Sequence, residues 1–198
     1  MKRFRRSLFA LLLLLALTAH AQAEAPEWDL DPAHSGFYFG ITHIFSTVRG
    51  YFEDFKGTLV FSPDDLAGSR FDFEVDVKSI NTGNSKRDGH LNSPDFFDSK
   101  TYPTMTFKST AVKKLEKDQY IVQGELTIKD VTQTVAVPFT FLGVATNPFD
   151  DKTEVAGFEA HLTIDRLAYN VGNGKFYEMG VVGKDVDVLI SLEAARAK

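Results

Sequence analysis

Between Arg70 and Lys78 apolar and charged residues alternate without a break: Phe71, Phe73, Val75 and Val77 stand between Arg70, Asp72, Glu74, Asp76 and Lys78. A period of two sends the apolar side chains to one face and the charges to the other, the signature of a β-strand with one buried face. The same phase returns at alternate positions in Phe37-Phe39-Ile41-His43, Gly57-Leu59-Phe61, Met105-Phe107-Ser109, Tyr120-Val122-Gly124-Leu126-Ile128, Val135-Val137-Phe139-Phe141, Phe158-Ala160-Leu162-Ile164 and Val186-Val188-Ile190-Leu192. Turn chemistry separates these segments, as in Ser62-Pro63-Asp64-Asp65, Lys117-Asp118-Gln119, Lys129-Asp130 and Asn147-Pro148-Phe149-Asp150. Between Ser79 and Pro103 the rhythm stops. There Ser85-Lys86-Arg87-Asp88-Gly89-His90-Leu91, followed by Pro94-Asp95-Phe96-Phe97, predicts a short helix in the 84–98 region over one end of the sheet.

Eight candidate strands with short connections and little helix predict an all-β chain closed into an antiparallel up-and-down barrel, because closure removes exposed edges. An outer-membrane barrel also alternates, but it turns its apolar face to lipid and its polar face inward. Eight strands leave a lumen wide enough for side chains or one small ligand. Arg70, Asp72, Glu74, Asp76 and Lys78 would crowd that lumen with charge, so a barrel with an apolar interior and a charged exterior is expected.

The first 23 residues stand apart from this pattern. Lys2, Arg3, Arg5 and Arg6 precede an apolar run from Leu8 to Leu17, and Ala21-Gln22-Ala23 follows it. This is the layout of a cleavable secretory signal, and the run falls short of the roughly 18 to 20 residues needed to span a bilayer. Cleavage is expected after Ala23, leaving residues 24–198 as one domain. It removes four basic and no acidic side chains from totals of 22 and 27, taking the net charge from −5 to −9. That balance gives no footprint for nucleic acid. The chain has no cysteine, so it has no disulfide, no thiolate nucleophile and no residue to carry a lipoprotein anchor. A periplasmic location is expected, with no integral membrane span.

Of 18 phenylalanines, 16 lie beyond the signal, and many of these fall on the apolar phase of a strand, among them Phe37, Phe39, Phe71, Phe73, Phe107, Phe139, Phe141 and Phe158. An aromatic stripe fills space in an ordinary core, or it lines a cavity for an elongated apolar ligand. Small residues on the same faces, at Gly57, Gly124 and Ala160, leave room and favour the cavity. Burial is worth roughly 0.8 kcal/mol per CH₂, so a tail of about ten carbons supplies on the order of 8 kcal/mol before ordering costs.

Signals for catalysis are absent. Beyond Ala23 the histidines are His34, His43, His90 and His161, without a His-x-His or His-Glu-x-x-His spacing, so neither a metal nor another cofactor is expected. No nucleophile elbow or phosphate-binding glycine loop is present. His34 and Ser35, as neighbours on an extended chain, would point apart. His43 lies on the apolar phase, where an imidazole must find a hydrogen-bond partner. Arg87-Asp88-Gly89-His90 puts a cation, an anion and an imidazole in the irregular segment, either as an ion pair fixing the loop or as a polar rim for a head group.

Along nearly the whole region after the signal, the sequence resembles the YceI-like family of secreted bacterial proteins, described as polyisoprenoid-binding. The resemblance starts at Trp28-Asp29-Leu30-Asp31-Pro32-Ala33-His34-Ser35 and runs through Phe39, His43, Gly50-Tyr51-Phe52, Phe55-Lys56-Gly57 and Ser79-Ile80-Asn81-Thr82-Gly83. It continues through Arg87-Asp88-Gly89-His90-Leu91, Phe96-Phe97, Tyr102-Pro103, Thr106-Phe107-Lys108-Ser109-Thr110 and Gly124-Glu125-Leu126-Thr127-Ile128-Lys129-Asp130-Val131-Thr132. The Arg, aromatic and Gly pattern near the end of the family is met, with altered spacing, by Arg166 to Gly172. The resemblance implies a lipocalin-like barrel whose tunnel takes the isoprenoid chain of a quinone precursor or prenyl phosphate, or another long amphiphile. It implies transport, storage or sequestration and no turnover.

The expectation is therefore a periplasmic lipid-binding protein without catalytic residues. Phe37, Phe39, Ile41, Phe71, Phe73, Met105, Phe107, Phe139, Phe141 and Phe158 are the candidate lining, and His43, Arg87, Asp88 and His90 the candidate polar contacts. The rivals are an envelope stress or scaffold protein with a packed barrel, which an open tunnel would argue against, and a lipid-modifying enzyme, which turnover would reveal. The sequence leaves a homodimer open.

Overall fold

The computed structural model describes residues 24–198; the expected signal and its cleavage point lie outside the described residues. Eleven strands and two short helices follow in order: β1 (Glu27–Leu30), β2 (Gly36–His43), β3 (Ser46–Phe52), β4 (Phe55–Val60), β5 (Arg70–Asp76), β6 (Ile80–Asn81), α1 (Ser85–Leu91), β7 (Thr104–Lys114), β8 (Gln119–Ile128), β9 (Val131–Asn147), β10 (Asp150–Asp165), α2 (Lys175–Glu178) and β11 (Val182–Ala197). All eight alternating segments of the sequence are strands. The expected helix is α1, opened by the Asn84 side chain, which accepts from Arg87 N.

The strands pair antiparallel in the order β1-β4-β5-β7-β8-β9-β10-β11, and β1 bonds back to β11 to close an eight-stranded barrel. Closure depends on a division of β11. Ala194 and Ala195 pair with β1, whereas Val182 to Ser191 pair with β2, so the two strands lie end to end along one partner. The turn between them, Asp31–Ser35, is pinned because Asp31 N donates to Glu193 O and Glu193 N donates to Ser35 Oγ. β3 and β6 extend outward from β2. β1, β3 and β6 are absent from the sequence expectation: β1 and β6 are four and two residues long, and glycine occupies the inward position 50 of β3.

The ladder is complete at the β1 end and interrupted at the other. β9 pairs with β10 only as far as Phe139 and Ala160, and the next residue back is Pro138, which has no N–H to offer. Below it the start of β9 and the end of β10 separate. The 166–171 segment fills the gap, with Gln133 Nε2 donating to Ala168 O and Lys129 Nζ to Asn170 O. On the opposite side α1 and Phe96–Phe97 cover the space between β6 and β7. Lys129 Nζ also donates to Phe96 O, so one ammonium ties both covers to the β8–β9 turn.

Inside, the barrel has two unlike halves. At the β1 end Phe61 is 1% exposed and packs edge-on or tilted against Phe71, Tyr120, Phe139, Phe141 and Phe158. Trp28, Leu59, Ala156 and Ala194 complete this plug. Toward the covers the centre is empty.

Candidate ligand-binding cavity

A cavity of about 650 Å³ occupies that second half. Phe71, Phe139 and Phe158 form its floor on the plug; Val122, Leu126, Val135, Val188 and Ile190 line its walls; Leu91, Phe96, Phe97 and Phe176 lie under the covers. The wall geometry explains how an aromatic-rich barrel remains hollow. A Cβ built on Gly57 would come 2.3 Å from Phe73 Cδ1, one on Gly50 2.5 Å from Phe39 Cζ, and one on Gly124 2.5 Å from Phe107 Cζ. The glycines therefore do not hold space open directly. They let neighbouring rings lie flat against the wall, and the freed space is at the centre.

Of the residues expected to line the cavity, Phe37, Phe39, Ile41, Phe71, Phe73, Met105, Phe107, Phe139 and Phe158 do so, as do His43, Arg87 and His90. Phe141 belongs to the plug instead, 5.0 Å from Phe61 and 5.3 Å from Phe158 between ring centroids. Asp88 turns away from the cavity: its carboxylate accepts from Thr82 N and Oγ1. Arg87 is held beside it, with Nε and Nη2 donating to Thr82 Oγ1 at 2.7 Å and Thr82 O at 2.8 Å. His43 is exposed at the end of β2 rather than buried. His90 meets Asp95 Oδ2 at 3.1 Å and the Phe96 ring edge-on at 5.1 Å.

Arg166, which the sequence reading did not place in the site, is the most buried charged side chain lining the cavity, at 5% exposure. Its Nε donates to Gly183 O at 2.8 Å, Nη1 to Val171 O at 2.6 Å and Nη2 to Val182 O at 3.4 Å, and the guanidinium lies 5.8 Å from the Phe96 ring centre. Burial pulls its pKa down from the ordinary guanidinium value, and the nearby Asp165 opposes that shift. Asp165 itself is committed to Lys184, 2.9 Å away, and together with Asp185 it pushes the Lys184 ammonium up to about 12. The backbone makes room for Arg166 at Gly172, which has φ +88°, where a Cβ would fall 2.5 Å from Nη1.

Outside the cavity, Asp31, His34 and Glu193 bring one ligand atom each to within 4.8 Å of one another. The Asp31–His34 hydrogen bond at 2.8 Å raises the imidazole pKa and lowers that of the carboxyl. Glu193 reaches the pair only through the β1–β11 closure, a connection that sequence spacing does not reveal.

A family model described as a YceI-like domain matches residues 28–194. Protein YceI of Escherichia coli O157:H7 is 31% identical over 197 residues, 98% of this chain and 100% of that one. The crystal structure of BcnA from Burkholderia cenocepacia is similar over 84% of this chain and 99% of its own, at 32% identity and a TM-score of 0.74. The structure of a polyisoprenoid binding domain from Saccharophagus degradans shares the fold at 16% identity and a TM-score of 0.64, over 88% of this chain and 100% of that one.

Proposed function

The chain belongs to the YceI-like family, and from that premise we propose that it is a periplasmic carrier holding one long amphiphilic lipid in its barrel for transport, storage or sequestration. A polyisoprenoid, such as a quinone precursor or prenyl phosphate, is the proposed cargo class. On this reading residues 1–23 are the export signal and residues 24–198 the carrier domain. The observation that carries it is the apolar cavity of about 650 Å³, floored by Phe71, Phe139 and Phe158 and rimmed by Arg87, His90 and His43. An apolar tail entering it gains roughly 0.8 kcal/mol per buried CH₂, and the rim leaves a polar head facing polar groups. The neighbour from Saccharophagus degradans, named for polyisoprenoid binding, favours the same cargo class. The role is binding without turnover. A packed scaffold would have no use for a hollow half.

The test is mass spectrometry of an organic extract from the protein purified out of its native envelope without detergent, beside Ala160→Trp, which places an indole in the cavity. A stoichiometric isoprenoid or other long-chain lipid, absent from the variant, is expected. An empty extract from folded wild-type protein would overturn the carrier reading.

A further inference from the structure

We propose that the cavity selects lipids with an anionic head, carboxylate or phosphate, and that Arg166 is the seat of that head. The inference rests on the carrier reading and adds the class of head group and the residue that binds it. A guanidinium has five N–H donors. Arg166 uses one on each nitrogen, all to backbone carbonyls, which leaves a second N–H on both Nη1 and Nη2 without an acceptor among the described residues. Among the described residues no carboxylate forms an ion pair with it: Asp165 and Asp185 face Lys184. A cation this buried, unneutralised and lining an apolar cavity is stabilised most by an anion brought in with the ligand, and the guanidinium fork suits a carboxylate or phosphate.

The surroundings point the same way. Arg166 lies over Phe96, and the other side chains on that ring are His90, edge-on, and Phe176, stacked at 5.7 Å. Arg87 stands three residues before His90 on α1, hence on the same helix face, and both line the cavity. Lys86 lines it too, and the one acid on the lining, Glu159, points its carboxylate to the exposed His161. In a chain with a net charge of −5, the polar end of the cavity is thus locally cationic. The apolar floor on the Phe61 plug takes the tail and orients the ligand head toward Arg166.

The experiment compares geranylgeranyl phosphate, geranylgeranoic acid and geranylgeraniol, alike in chain and different in head, binding to lipid-stripped protein. The phosphate, the acid or both are expected to bind about tenfold or more tightly than the alcohol, and Arg166→Gln is expected to close that gap. Should Arg166→Gln fail to fold, the Arg166 Nε–H resonance of the wild type serves instead: it is expected to shift with the anionic probes and stay in place with the alcohol. Equal affinity for all three probes overturns the anionic site and leaves the carrier reading standing. A gap that persists in folded Arg166→Gln, or an unmoved Nε–H resonance, removes Arg166 as its seat. Failure of every probe to bind overturns the carrier reading itself, and this inference falls with it.

Discussion

Asp31 and His34 show how far a single residue's chemistry depends on its partners. The imidazole pKa is raised first by its hydrogen bond to Asp31 and then by the charges of Asp31 and Glu193. Its contribution to stability is complete below the ordinary imidazole range and is lost as pH rises through the raised value. The Asp31 carboxyl is lowered chiefly by the same hydrogen bond, so its contribution is complete above the ordinary carboxylate range and is lost as pH falls through the lowered value. Between those limits the pair supports the turn that joins β1 to β2, weakly, since both groups meet solvent. An NMR titration of His34 is expected to give a midpoint above about 6.5, and Asp31→Asn should return it toward that value. A wild-type midpoint at or below it would mean that the hydrogen bond does not form in solution. Arg87 and Arg166 carry the complementary lesson. Both were visible as cations in the sequence, yet which of them becomes buried depends on where the 166–183 segment crosses the barrel end.

At the scale of the element, the period-two pattern located every long strand, because one face of each is packed inside and the other meets water. It missed β1 and β6, which are short, and β3, whose inward phase is broken by Gly50, and it misjudged Gly57 and Gly124, whose role is set by the rings of neighbouring strands. That relation yields a test. In Gly124→Ala the new methyl would lie 2.5 Å from both Phe107 Cζ and Lys108 O, forcing the ring off the wall and into the cavity. Urea unfolding is expected to show a loss of about 1–3 kcal/mol, accompanied by reduced lipid content in the extract. Unchanged stability and unchanged cargo would show that Phe107 does not lie across the glycine.

For the whole molecule, the division into plug and cavity predicts unequal costs for truncating side chains of similar apolar character. Phe61→Ala cuts a hole in the packed half and should destabilise the lipid-free protein by about 3–5 kcal/mol. Leu126→Ala removes part of a wall that already borders empty space, so little new cavity forms and a loss below about 2 kcal/mol is expected. Equal losses in urea titrations would mean that the hollow half is packed in solution. The sequence by itself determined the strands, their buried faces and the barrel class, since alternation is a local property that any half-buried strand must display. Its resemblance to the YceI-like family named the line of descent that the domain match supports. Only the tertiary structure decided that Phe61 and Phe141 plug one end, that glycines clear the centre by letting rings lie flat, and that Arg166 faces the cavity. Those outcomes depend on which distant strands meet: a β11 shared between β1 and β2, and a β9–β10 ladder that stops at Pro138. No local pattern encodes such meetings, because they are fixed by the closure of the whole sheet.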